Sequence, residues 1–155
     1  MGHESLQDRY FSSGTCFGCG PANPKGLRIK SLVRGEEVIA RWEAESHHEA
    51  FPGMLSGGII GTLLDCHSNW TAAHHLMLRA GEEHPPCTVT AEFHVKLLRP
   101  TPSGEGPISL RARAVESSGS RAVVEATLEA GGEPCATCRG VFIAVKPGHP
   151  AYNRW

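Results

Sequence analysis

No stretch of the sequence approaches the ~20 apolar residues that cross a bilayer. The longest run of low polarity, Gly57 to Leu64, leads straight into Asp65. Aromatic residues make up only 6%, and the formal net charge is -1 with the histidines neutral. A chain so close to neutral has no global field for a polyanion, which argues against a nucleic-acid partner; any phosphate-bearing ligand must meet a local patch. Internal repeats and low-complexity tracts are also missing. The 40% hydrophobic and 20% charged content excludes a disordered chain, a collagen and a long coiled coil. Met1 to Ser5 show neither the basic nor the apolar region of a secretion signal. The expectation is a cytoplasmic protein that meets no membrane and keeps its cysteines reduced.

What is there fits one domain of 155 residues. Residues 1–25 are polar and rich in Gly, Pro and Cys, and read as a lead-in without regular structure. The domain proper is expected over 26–146, with 147–155 as a polar tail. Alternating apolar residues predict a hairpin of strands over 26–33 and 37–45, followed by a loop over 46–56 that holds His47 and His48. Ile60, Leu63, Leu64, His67, Trp70, Thr71 and His74 recur at spacings of three and four. They predict one long helix with Ser56 as N-cap and its end near Gly81. Strands are expected over 88–98, 108–116, 121–129 and 135–146, joined by short turns as an antiparallel meander. The fold class is α+β. A single apolar helix and about six antiparallel strands can bury their faces only on each other, with the helix across the concave side of a curled sheet, the arrangement called the hotdog fold.

The chemistry concentrates in Gly53–Asp65, FPGMLSGGIIGTLLD with its flanking residues. Gly57 and Gly58 open the helix, where N–H groups lack helical acceptors and the dipole favours a developing oxyanion. Asp65 follows two turns later among apolar neighbours, where a carboxylate must be paired, at a seam, or functional. His67 points about 160° away from Asp65 on an ideal helix, which speaks against an Asp–His relay. Cys66 has no base at triad spacing. Cys16-x-x-Cys19 and Cys135-x-x-Cys138 could make a four-thiolate zinc site, but a strand would turn Cys135 and Cys138 to opposite faces, so no metal and no cofactor is expected.

Together with CFGCGPANPKGLRI, TVTAEFHVKLLRPTPSGEG and the terminal CRGVFIAV, this segment resembles the 4-hydroxybenzoyl-CoA thioesterase superfamily, and most closely its phenylacetate-pathway (PaaI-like) branch, over about residues 15–146. The resemblance implies an acyl-CoA thioesterase that yields free acid and CoA. Asp65 would be the base or nucleophile, and the Gly58 amide, supported by Gly57, the oxyanion donor. Ser56 stands where that branch usually has histidine, and His48 could compensate. The resemblance further implies CoA contacts near Lys96, Arg99, Gly119, Ser120 and Arg121. It also implies a homodimer or homotetramer whose sites are shared between subunits, with the strand at Thr88 and Val89 coming from the other chain. The alternatives are a hotdog enoyl-CoA hydratase or dehydratase, or a non-catalytic acyl-CoA-binding module.

Overall fold

A computed structural model describes residues 3–155; Met1 and Gly2, part of the expected lead-in over 1–25, lie outside them. One helix, α2 (Gly57–Ala80), runs across a six-stranded antiparallel sheet. The sheet consists of β1 (Leu32–Arg34), β2 (Glu37–Trp42), β5 (Thr88–Leu97), β6 (Ile108–Ser118), β7 (Arg121–Ala130) and β8 (Glu133–Ala144). This is the hotdog arrangement. The helix ends on Gly81 in the left-handed region (φ 67°), a conformation that favours glycine and closes the last turn through N–H bonds to Leu78 and Met77 carbonyls.

Three elements differ from the sequence expectation. The lead-in contains a short helix, α1 (Leu6–Tyr10), capped by Ser5, whose Oγ accepts from the Asp8 amide. The first strand is only three residues long. Leu27 and Ile29 are buried as expected, but their amides bond to the Phe17 and Gly18 carbonyls of the lead-in rather than to a strand, and Arg28 has φ 51°. The loop 46–56 holds a 3-10 turn (Ser46–His48) and a small two-stranded sheet, β3 (Glu49–Phe51) with β4 (Met54–Leu55).

The meander is also only partly present. The sheet order is β1-β2-β6-β7-β8-β5, so β6, β7 and β8 follow one another but β5 pairs with β8 at the far edge. Residues 98–107, with three prolines, are too long for a hairpin turn and carry the chain back from that edge to the sheet interior. One side of β5 therefore pairs with no strand among the described residues.

Trp70, Leu63, Leu64, Ala72 and Ala73 on α2 are completely buried. A helix apolar over so much of its surface must be covered on more than the sheet side. The lead-in and the tail supply the cover: Phe11 and Trp155 both pack on Trp70, with Trp155 4.5 Å away between ring centroids.

His67 is completely buried in a chain of bonds. It lies 2.8 Å from the Val38 carbonyl through Nε2 and 2.8 Å from Ser31 Oγ through Nδ1, and Gln7 clamps Ser31 in turn. A carbonyl can only accept, so Nε2 carries the proton and the ring is neutral. Burial pushes its pKa down to about 4. The unfolded chain binds that proton near 6.5, so this group's stabilisation is complete above pH 6.5 and disappears as pH falls toward 4. The loss should approach 1.4 kcal/mol per pH unit, about 3 kcal/mol in all. Urea unfolding of wild type and His67→Leu between pH 7 and 4.5 checks this: the variant starts less stable but has a shallower slope.

Candidate functional site

Asp65 sits on the face of α2 that meets the start of β5, half-buried, with Oδ1 accepting from Thr90 Oγ1 at 2.6 Å. Asn69, one turn on, holds Thr88 on the same strand through a 2.7 Å side-chain bond. The i, i+4 spacing thus aligns two polar residues with two threonines. Burial pushes the Asp65 carboxyl above the usual carboxylate range; the Thr90 hydroxyl opposes this, charge at Cys16 adds to it, and Arg154 opposes it weakly. A desolvated carboxylate with a raised pKa is a stronger base near neutrality than an exposed one. Thr90 and Arg154 escaped the sequence reading: the first lay unmarked inside a strand motif, and the second in a tail with no period.

At the helix mouth, Ser56 is the N-cap residue (φ -63°, ψ 135°), but its side chain makes no capping bond. Gly57 and Gly58 are exposed. First-turn amides without a capping side chain are oriented donors for an incoming oxyanion. His48 stands beside them, its carbonyl accepting from the Ser56 amide at 2.9 Å. Its Nδ1 accepts from the Glu45 amide, which leaves the proton on Nε2. Burial holds the His48 pKa below its ordinary value, with His47 adding to that and Glu45 opposing. His48 is therefore a neutral donor.

Next to Gly57 opens an apolar pocket of ≈ 420 Å³, lined by Phe51, Met54, Ile60, Leu97, Leu98 and Arg99 among others. Thr101 also lines it, and its hydroxyl is buried without a partner among the described residues.

The other expected substrate contacts divide between the two ends of the sheet. Thr88 and Val89 lie opposite Ala144 and Ile143, and Ile143 also faces Arg121; the Ser120 carbonyl accepts from the Ala144 amide. The Gly119–Arg121 turn thus belongs to the Thr88 end. Thr88 itself is completely buried within its own chain. Arg99 belongs to the Leu97 end and lies 3.6 Å from Glu133. Lys96 lines a groove with His94, Arg111, Arg113 and Arg139, on the face of the sheet opposite the helix.

Among the described residues the two C-x-x-C pairs do not form one four-thiolate set. Cys16 and Cys19 meet Cys66, and the three thiols lie within 4.8 Å of one another. Hydrogen bonding to Cys16 and Cys19, with burial, raises the Cys66 pKa well above its ordinary value, which disfavours it as a nucleophile. Burial, with the Asp65 charge, pushes Cys138 up to about 11. His67 is occupied by Val38 and Ser31, and His75 by Ser117 at 2.8 Å, so neither forms a relay with Asp65.

The acyl-CoA thioesterase N-terminal domain family matches residues 71–143, from the second half of α2 through β8. A thioesterase superfamily protein from Shewanella loihica PV-4 is 32% identical over 81% of this chain and 98% of its own, with a TM-score of 0.65. A thioesterase from Thermus thermophilus, solved with coenzyme A and zinc, is 20% identical over 74% of this chain and 83% of its own, TM-score 0.57. A phenylacetic acid degradation-related protein from Ralstonia eutropha JMP134 is 19% identical over 76% and 85%, TM-score 0.62. The last two share the fold. No curated protein matches the chain.

Proposed function

The chain belongs to the thioesterase superfamily, and on that premise we propose that it hydrolyses an acyl-CoA to free acid and CoA at a site assembled from two subunits. One observation carries the reading: a desolvated carboxylate, Asp65, and uncapped first-turn amides at Gly57 and Gly58 lie on the same helix at a fixed separation. Asp65 comes seven positions after Gly58, about 10 Å along the axis at ~1.5 Å per residue. A thioester carbonyl needs its oxygen about 3 Å from the donor and its carbon about 3 Å from the nucleophile. One chain does not meet both demands comfortably, and two chains do.

The free side of β5 supplies the pairing. Its edge carries Phe93 and Leu97, 40% and 58% exposed, and Leu98 follows at 47%. Thr90 faces Asp65, a β-carbon built on Gly57 would lie 3.8 Å from Leu97 Cδ1, and alternation places Phe93 on that same helix side. An unpaired edge bearing an apolar stripe calls for a second copy. Antiparallel pairing about a two-fold axis sets the Leu97 end of each strand against the Thr88 end of the other. Gly58, the apolar pocket and Arg99 of one subunit then meet Asp65, Thr90 and the Gly119–Arg121 turn of the partner.

In this site Asp65 acts as base or nucleophile. As base, its carboxylate takes a proton from water while the water oxygen bonds to the thioester carbon. The Gly58 N–H holds the resulting oxyanion, the carbon–sulfur bond breaks, and the proton returns to the CoA thiolate. Ser56 cannot titrate near neutrality and His48 already carries its proton on Nε2, so neither competes with Asp65 for this role. The pocket beside Gly57 suits an apolar acyl or pantetheine segment, and Arg99 at its wall suits a phosphate. The sequence likeness to the phenylacetate-pathway branch makes aryl-acetyl groups the first candidates, and six free cysteines suit a cytoplasmic setting. No described helix is long and apolar enough to cross a membrane.

The test is a panel of short aliphatic, long-chain and aryl-acetyl CoAs, assayed for thiol release by wild type and Asp65→Ala. Turnover confined to wild type supports the reading. Equally slow release by both proteins points instead to a binding module, and water addition to an enoyl-CoA to a hydratase.

A further inference from the structure

We propose that Cys16, Cys19 and Cys66 form a binding site for one zinc ion, which fastens the amino-terminal loop to α2 on a face adjoining that of Asp65. Cys16 and Cys66 Sγ are 3.9 Å apart, and all three sulfurs lie within 4.8 Å of one another. Zinc–thiolate bonds of about 2.3 Å in a tetrahedron place sulfurs about 3.8 Å apart, so little movement closes the set. The loop is built to present them. The Gly20 amide bonds to the Cys16 carbonyl at 2.8 Å, turning the two C-x-x-C side chains to one side, and the amides of Leu27 and Ile29 fix the Phe17 and Gly18 carbonyls.

The approach to the helix is equally specific. A β-carbon at residue 18 would lie 2.3 Å from Cys66 Sγ and 2.8 Å from Thr62 Cγ2, so only glycine lets the loop descend this far. Cys19 Sγ accepts from Trp70 Nε1 at 3.4 Å, which holds the sulfur against the helix. Thr62, Cys66 and Trp70 follow one another at i, i+4 and i+8, and this row is the one the loop covers. Cys16 is only half-buried, which leaves a way in and a fourth coordination position for water. Binding exchanges three thiol protons, released to solvent, for one Zn²⁺. Cys135 is not part of the set: its Sγ lies against the Glu133 carbonyl at 3.4 Å.

This inference is independent of the thioesterase reading, and its test needs no substrate. The full chain, stripped with chelator and kept reduced and anaerobic, is titrated with Co²⁺ as a spectroscopic probe and then with Zn²⁺. The expected result is one equivalent per chain with sulfur-to-cobalt charge-transfer bands and the strong visible bands of tetrahedral thiolate ligation, displaced by zinc. Zinc at about a hundred times its Kd should raise Tm by roughly 5–10 °C. Cys16→Ser, at a half-exposed position whose loss the fold tolerates best, should abolish both signals, as should Cys66→Ser if it folds; Cys135→Ala should keep them. Absence of the charge-transfer bands, their survival in Cys16→Ser, or their loss in Cys135→Ala overturns the proposal.

Discussion

Asp65→Asn should lower kcat by at least about 100-fold, the lower end of what a general base contributes. The substitution is nearly isosteric and leaves an amide oxygen to accept from Thr90 Oγ1, so the local hydrogen bond and the fold should survive. What disappears is the ability to take a proton or to attack the thioester carbon. KM should change little, because the carboxylate acts on the reacting atoms and not on the body of the CoA. Steady-state kinetics on the best panel substrate, with circular dichroism as a fold control, check the prediction. Wild-type turnover in this variant would remove Asp65 from the mechanism.

A charge on the free edge should have an effect of similar size by a different route. Phe93 is 40% exposed on the helix side of β5, and among the described residues β8 is the strand's only neighbour in the sheet. Phe93→Lys puts an ammonium where the pairing edge requires an apolar contact, a common way for natural edge strands to prevent association. The expected protein is a folded monomer with kcat/KM reduced by about 100-fold or more, since each half-site then lacks its partner group. Sedimentation and kinetics on the same preparation check both parts. A monomer of full activity would show that one chain suffices.

The long helix was legible because its apolar period has no competitor and because Ser56 and Gly81 punctuate it; both boundaries agree with α2. The β6–β7–β8 run was legible from its alternation and its Ser-Gly and Gly-Gly turns. Residues 26–33 misled because burial without pairing looks like a strand in sequence: Leu27 and Ile29 are core residues whose amides are bound by a distant loop. The position of β5 at the edge could not be read from strand periodicity, which says nothing about neighbour order; the length of the 98–107 connection was the available sign. At the site, Asp65 and the two glycines stood out by residue type. Thr90 did not, because one threonine in an alternating strand has no distinctive signal. The meeting of Cys66 with the C-x-x-C loop was hidden by its fifty-residue separation from Cys16; spacing alone brought up the pairing of C-x-x-C with C-x-x-C, which strand alternation over 135–146 argued against.

The division of each site between two chains is tested most directly by complementation. Gly58→Pro removes the N–H donor at a first-turn position that tolerates proline, and the preceding Gly57 accepts the restriction this imposes. Gly58→Pro and Asp65→Asn should each be nearly inactive. In a dimer containing one of each, the first site combines both variants and the second combines wild-type Gly58 with wild-type Asp65. Random association of equal amounts makes about half the dimers mixed, each with one intact site of two, so activity should return to about one quarter of wild type. The account predicts that recovery on co-refolding, with no change in either protein alone. A mixed preparation, shown to contain the heterodimer, that stays as inactive as its components would contradict it.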